Sequence, residues 1–259
     1  MRLMINHQTH YHYSAPACNS IQYIKMTPPN NAHQQVHNWA ISVPGESEIK
    51  QDAFQNIWMT STQRFSYQSL SIMAQGIVEL RPQMRWGLQD QLNPYLFLQP
   101  TASTLCSPEM QCFARQYVPQ VNRDNLIRLS EAILSHMPYR PAQTSVQTTA
   151  IEAFQAKQGV CQDHAHVLIA MCKSLGVPAR YVSGYLYSSN SSHLASHAWV
   201  EVFLEQHWYC FDVSNLAFQP DSHVYLAVGR DYWDVAPVRG VREKGGIEHM
   251  QTMVQVLAC

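Results

Sequence analysis

Apolar and polar positions alternate through the first eighty residues. In LMINHQTHYHYS, Leu3, Ile5, Tyr11 and Tyr13 share one side of an extended chain. In WAISVPG, Trp39, Ile41 and Val43 share a face, and Pro44-Gly45 ends the run. FSYQSLSIMAQGIVEL alternates through Leu70, Ile72 and Ala74, and Gly76 suggests a bulge or bend before Val78 and Leu80. Short strands at this spacing predict an antiparallel, sandwich-like module. After residue 105 the period lengthens. NLIRLSEAILSHM places Leu126, Leu129, Ile133 and Met137 on a helical stripe that Pro138 stops. Thr149 with Glu152 fits a capping box and starts a short helix. Cys161, Ala165, Leu168, Ile169, Cys172 and Leu175 then fall at helical spacing, with Gly176 suited to the C-cap and Pro178 unable to continue. Beyond residue 197 strand alternation returns, and HVYLAVG and MVQVLAC predict further strands within 223–259. Residues 81–105, with Pro82, Pro94 and Pro100, are irregular. They form the expected connection between a β-rich module, 1–100, and an α+β module, 101–259.

Composition narrows the classes. The 259 residues are 46% hydrophobic and 14% charged, enough for a real core and unlike a disordered chain. A net charge of -1 gives no electrostatic case for nucleic acid or an anionic membrane. No apolar run reaches membrane-span length, and MRLMINHQTHYHYSAP lacks the apolar core of a signal peptide. The seven cysteines at 18, 106, 112, 161, 172, 210 and 259 are odd in number and form neither CxxC nor a zinc-ligand spacing. The expectation is a cytoplasmic protein with free thiols and no cofactor or metal.

One of these thiols stands apart. Cys161 follows Gly159-Val160 and opens a buried helix, where unpaired N–H groups and the positive end of the helix dipole favour an anion. A thiolate there is the nucleophilic form, and the same N–H groups can stabilise an oxyanion formed beside it. Free cysteine is also among the most buried residue types, so Cys172, mid-helix on the apolar stripe, reads as core. A nucleophilic Cys needs a base, and the base an orienting group. In ASHAWVEVFLEQHWYCFDVSN, His197, Trp199, Glu201 and Phe203 share one strand face. If Leu204 pairs with His207 across a tight or four-residue turn, Trp208, Cys210 and Asp212 share that face, and Asp212 becomes a diagonal neighbour of His197. A slip of one residue would turn Asp212 away. His164, His166 and His193 are alternative bases; Cys161, His164 and His197 are an alternative metal set of no common spacing. Arg180 reads as an ion-pair partner, Asp163 as a helix-start or loop-locking residue, and Trp199 and Trp208 as core or pocket wall.

With these residues in view, GVCQDHAHVLIAMCKSLGVPARYVSGY, SHAWVEVF and WYCFDVSN resemble the transglutaminase-like superfamily of papain-fold cysteine enzymes. The resemblance is strongest to its bacterial branch of candidate cysteine proteases. HYHYSAP and DAFQN resemble that branch's β-rich N-terminal domain, and HVYLAVGRDYWDVAPVRGV its C-terminal segment. The resemblance implies Cys161 as nucleophile, His197 as base, Asp212 as orienter, and an amide-bearing peptide or protein as substrate. It also implies a second oxyanion donor ahead of the helix, for which Tyr139 is the candidate. Three departures stand out: Val213-Ser214 replaces the usual Pro-Thr, Gln55 stands where the N-terminal motif has Gly, and the loop before Trp208 lacks glycines. The implied activity is hydrolysis at a thioester; amine transfer, as in a transglutaminase, and a non-catalytic scaffold are the alternatives.

Overall fold

The computed structural model describes residues 1–81, 91–189, 193–194 and 196–259, with residues 193 and 194 as backbone alone. Pro82 and the side chain of His193, both named above, lie outside this set. β1 (Arg2–Ile24) is the longest strand, and the N-terminal sheet is built on it. Its first half lies between β5 (Tyr67–Leu80) and β12 (Glu248–Ala258). Its second half pairs with β4 (Ile57–Gln63) and β11 (Val238–Lys244), and β3 (Glu46–Gln51) extends β4. β2 (Gln34–Ser42) flanks β5, and β7 (His193–Leu194) flanks β12.

The β-rich N-terminal region is therefore one continuous antiparallel sheet of eight strands. Register irregularities between His12 and Ala17 and between Cys18 and Ile21 interrupt β1. One apolar cluster nevertheless joins both its halves, with Tyr11 and Tyr13 packed alongside Ile24, Met59, Leu70 and Ile72. The irregularity expected at Gly76 sits on the neighbouring strand, between Val36 and Asn38. β5 runs straight through Gly76, where a Cβ would lie 2.2 Å from the Asn38 carbonyl oxygen. The glycine is there for close approach. The last two long strands add to this sheet and leave the sheet that carries His197 at four strands.

The second layer is α+β. α1 (Pro108–Tyr117), α2 (Arg123–His136), α3 (Ala150–Ala156) and α4 (Cys161–Ser174) precede a four-stranded antiparallel sheet. Its strands are β6 (Ala179–Leu186), β8 (His197–Leu204), β9 (His207–Phe211) and β10 (His223–Gly229), in the order β10-β6-β8-β9. α5 (Tyr232–Val235) follows β10. The helices form for the reasons their sequences give. Leu126, Leu129, Ile133 and Met137 are fully buried, Thr149 and Glu152 close a capping box, and Gly176 takes φ 76° after α4. α4 buries Ala165, Leu168, Ile169 and Cys172 against Ala198, Val200 and Val202 of β8. The opposite face of the sheet carries Val182, Trp199, Trp208, Cys210 and Tyr225, closed by Phe97.

β10 is an edge strand, and the N-terminal region covers its edge with side chains. The Gln34 carboxamide accepts from Tyr225 N–H at 2.8 Å and donates to its carbonyl at 2.9 Å. The Asn56 carboxamide does the same with Val228, at 2.8 Å each way. His33 Nε2–H donates to the His223 carbonyl at 2.9 Å. A carboxamide offers one donor and one acceptor, as a peptide group does, so it can stand in for a neighbouring strand. Asn56 is aimed by the DAFQN turn, in which Asp52 Oδ1 accepts from the N–H groups of Phe54 and Asn56. Gln55 takes φ 64° there, the left-handed region that a glycine enters most freely.

Candidate active site

Cys161 is the first residue of α4. The helix starts there because the Asp163 carboxylate reaches back to the Val160 N–H at 2.8 Å, closing the first turn. Thr144 Oγ1 donates to the same oxygen at 2.7 Å and ties the 140s loop to the helix start. Gly159 makes this possible, since a Cβ there would lie 2.6 Å from Asp163 Cβ. Asp163 thus locks the loop. Burial raises its carboxyl pKa, and the two hydrogen bonds work against that rise. His164, the next residue, is spent on structure: its ring bridges the Met137 carbonyl at 2.7 Å and Ser214 Oγ at 2.8 Å. Both nitrogens being engaged, the trio Cys161, His164 and His197 is not assembled as a ligand set. His166 is fully buried, accepts from the Tyr232 N–H at 3.2 Å, and is pushed down to about 4 by burial.

The second part of the site depends on strand register. Leu204 pairs with His207, Phe203 with Trp208 and Glu201 with Cys210. The turn is the two-residue form, with Glu205 at φ 49° and Gln206 at φ 66°, the twist that suits a right-handed hairpin. This register carries Asp212 to the His197 side, where its Oδ2 lies 2.7 Å from His197 Nε2. Cys161 also acts on the imidazole and favours its charged form, so the thiol lies within interaction range of the ring. With Nε2 held by the carboxylate, Nδ1 is the nitrogen left for a further partner. Of the three residues predicted from sequence, His197 and Asp212 are joined by this hydrogen bond, and Cys161 lies within interaction range of the imidazole. Arg180 pairs with Glu201 at 2.7 Å, both side chains nearly inaccessible, and Tyr225 donates to the other Glu201 oxygen at 3.0 Å.

The electrostatics follow from this wiring. Burial works against charge on His197, but Asp212 and Cys161 outweigh it and raise the imidazole to about 10. Burial also works against ionisation of Asp212; hydrogen bonds from His197 and His223 outweigh it and hold the carboxyl below the usual carboxylate range. Cys172 shows the contrast on the same helix: fully buried among apolar side chains, its thiol is pushed up to about 12. Tyr139 is half exposed, its ring 6.2 Å from that of His164. Its hydroxyl pKa is raised by burial first and then by Cys161, Asp163 and Asp212, so it lies within electrostatic range of the thiol.

Three further residues join the site that sequence reading did not single out. Asn215 donates from Nδ2 to Asp212 Oδ2 at 2.7 Å and from its backbone N–H to Oδ1 at 3.2 Å. Its N–H, three residues after an Asp, is at the spacing of a side-chain cap, a signal that could have flagged it. His223 donates from Nε2 to Asp212 Oδ2 at 3.1 Å and comes from β10, two strands from β8. The gap is bridged at Gly184 of β6, which pairs with both His197 and Tyr225. A Cβ on Gly184 would lie 2.6 Å from the Trp199 ring, so the indole lies across it. That ring stacks on His197 at 6.0 Å and meets His223 edge-on at 4.8 Å. His33 reaches the His223 carbonyl from the N-terminal region. The ligand-type atoms of His197, Asp212 and His223 lie within 4.8 Å of one another. They are already joined donor to acceptor at hydrogen-bond spacing through Asp212.

Comparison with known proteins gives the same outline. A family model of the transglutaminase-like superfamily core matches residues 113–213, and one of the bacterial transglutaminase-like N-terminal region matches residues 3–79. An uncharacterized Mycobacterium leprae protein is 27% identical over 277 residues, covering 98% of each chain. An uncharacterized Mycobacterium tuberculosis protein is 28% identical over 274 residues, covering 93% of this chain and 87% of that one. The solved structure of a candidate cysteine protease from Cytophaga hutchinsonii superposes with a TM-score of 0.81 at 21% identity. It covers 99% of this chain and 90% of that one, so the two share a fold along their length.

Proposed function

Because this chain belongs to the transglutaminase-like superfamily, with the bacterial N-terminal region as well as the core, we propose that it is a thiol-dependent acyl-transfer enzyme acting on amide or peptide bonds. The observation that carries this reading is a buried carboxylate 2.7 Å from the imidazole Nε2 of His197, with a cysteine at the first residue of a buried helix inside that imidazole's electrostatic surroundings.

In this reading His197 Nδ1 already holds the Cys161 proton before substrate binds, and the thiolate attacks the carbonyl carbon. The carbonyl oxygen becomes an oxyanion beside the first-turn N–H groups of α4, with Tyr139 as the candidate second donor. As the intermediate collapses, the imidazolium returns its proton to the leaving amine, and a thioester remains on Cys161. Water then attacks the thioester and gives its proton to His197. The intermediate collapses with expulsion of the sulfur, the acid product leaves, and the thiolate–imidazolium pair is restored. Asp212 holds the imidazole tautomer and supports its charge throughout. Hydrolysis, a cysteine peptidase or amidase activity, is the favoured outcome; an amine in place of water would make the same chemistry a transglutaminase. Seven unpaired cysteines favour a reducing compartment such as the cytoplasm. No helix among the described residues is long and apolar enough to cross a membrane.

The test is mass spectrometry of acid-quenched mixtures of the protein with a peptide and amide library. The reading predicts an acyl adduct on the Cys161 peptide and free acid among the products. An amine-linked product in place of the acid would move the assignment to transglutaminase. Neither adduct nor product from any library member would favour a binding scaffold.

A further inference from the structure

Asp212 Oδ2 accepts three hydrogen bonds, from His197 and Asn215 at 2.7 Å each and from His223 at 3.1 Å. The two histidines sharing this oxygen differ. His197 is placed to carry charge, held by the Asp212 carboxylate and favoured further by Cys161. His223 is buried, and among the described residues its Nδ1 has no hydrogen-bond partner. Protonating it would put an N–H without an acceptor in a buried site against Trp199, a costly arrangement. His223 is therefore a neutral donor: it fixes the carboxylate without competing for the charge that His197 must hold. Burial lowers its pKa in the same sense, against the pull of Asp212. The titratable groups around it are Asp212 and His197 on the catalytic side, His33 of the N-terminal region, and Asp221 just ahead of β10.

What holds His223 is the clasp on the edge of β10. His33 grips its own carbonyl, Gln34 grips both backbone groups of Tyr225, and Asn56 grips both of Val228. Sliding or peeling β10 would break these bonds and draw the His223 ring away from Asp212. We propose that His223 is a positioning residue for Asp212, and that the N-terminal region sets it in place through His33, Gln34 and Asn56, which makes that region part of the catalytic apparatus. The consequence for turnover rests on the proposed function; the effect on Cys161 does not.

The experiment uses the full chain with His223→Phe, His223→Gln and His33→Phe, each checked for wild-type circular dichroism. The rate of Cys161 alkylation by iodoacetamide is followed against pH by peptide mapping, alongside kcat and KM on an amide substrate found as above. Losing the His223 donor loosens Asp212, so the imidazolium supports the thiolate less and the alkylation midpoint moves to higher pH. The expected shift for His223→Phe is about half a pH unit or more, with kcat down roughly tenfold to a hundredfold and KM within about twofold. Gln can present an amide N–H to Asp212, and His223→Gln should recover most of both effects. His33→Phe should move both in the same direction by less. A folded His223→Phe protein with the wild-type alkylation profile would overturn the positioning role, as would His223→Gln failing as badly as Phe. Should His223→Phe not fold, His33→Phe decides: an unchanged profile there overturns the part assigned to the N-terminal region. If alkylation behaves as expected while no amide is turned over, the positioning role stands and the proposed function alone fails.

Discussion

The four-stranded sheet has two faces of opposite character. Toward α4 it offers Ala198, Val200, Val202 and Phe211, all apolar and buried. The other face carries His197, Trp199 and Glu201 from β8, Arg180 from β6, and His223 and Tyr225 from β10, with Asp212 just past β9. Adjacent residues of one strand thus serve two tasks. The first face gains stability from removing carbon from water, which needs no particular partner. The second buries charge and hydrogen-bonding groups, which is tolerable only when each finds its mate. Conformational precision is concentrated on the second face, which carries His197 and His223 and leads into Asp212. The helix supplies the sulfur, and the polar face supplies the groups that act on it.

Substitutions on the two faces should fail differently. Cys161→Ala, at the junction, should abolish turnover while leaving the thermal midpoint close to wild type; a folded variant that still turns substrate over would break the mechanism. On the polar face, Glu201→Gln takes the carboxylate charge away from the buried Arg180 and should cost about 3 kcal/mol in urea unfolding. Val200→Ala, the neighbouring residue on the apolar face, only leaves a cavity and should cost about 2 kcal/mol. It should not alter the pH dependence of Cys161 alkylation. If Val200→Ala changed that profile as much as a substitution on the polar face, the division of labour between the faces would be wrong.

The gentlest probe of the comparison is pH. His197 is raised in the fold, from 6.5 to about 10. A group with a raised folded pKa contributes stability that is complete below its unfolded pKa and is lost as pH rises toward the folded one. The stability difference between wild type and His197→Gln should therefore fall as pH rises toward 10, most steeply above about 8.5, where the unfolded chain's cysteine has also lost its proton and no longer offsets the imidazolium held in the fold. Its limiting slope is about 1.4 kcal/mol per pH unit. Lys173, lowered to about 8 by burial, titrates in part of this window with the opposite sign, and it cancels in the difference. A difference that stays flat from pH 6.5 to 10 would mean that His197 is not held as a cation.

Much of this was legible in the chain because it is local. The start of α4 follows from Gly159 and Asp163, and the meeting of His197 with Asp212 follows from a hairpin register that alternation alone constrains. The positively twisted Glu205-Gln206 turn was not fixed by residue preference, since neither residue favours φ above zero. What stayed hidden is non-local. Alternation marks 248–258 as a strand but carries no word that its partner is β1, at the other end of the chain. His223 is two strands from His197, and only the order β10-β6-β8 and the flat passage over Gly184 bring it to Asp212. Gln34 and Asn56 read as ordinary polar surface until the bare edge of β10 beside them is known.

The most direct measurement is which cysteine reacts first. Cys112 and Cys259 are exposed, whereas Cys161 is partly buried, so accessibility alone would label the first two ahead of it. Activation reverses that order. With limiting iodoacetamide at pH 6 and peptide mapping, the account predicts that Cys161 is carbamidomethylated well ahead of the other six, and that His197→Gln removes its lead. Labelling that follows exposure, with Cys112 and Cys259 first and Cys161 behind, would contradict it.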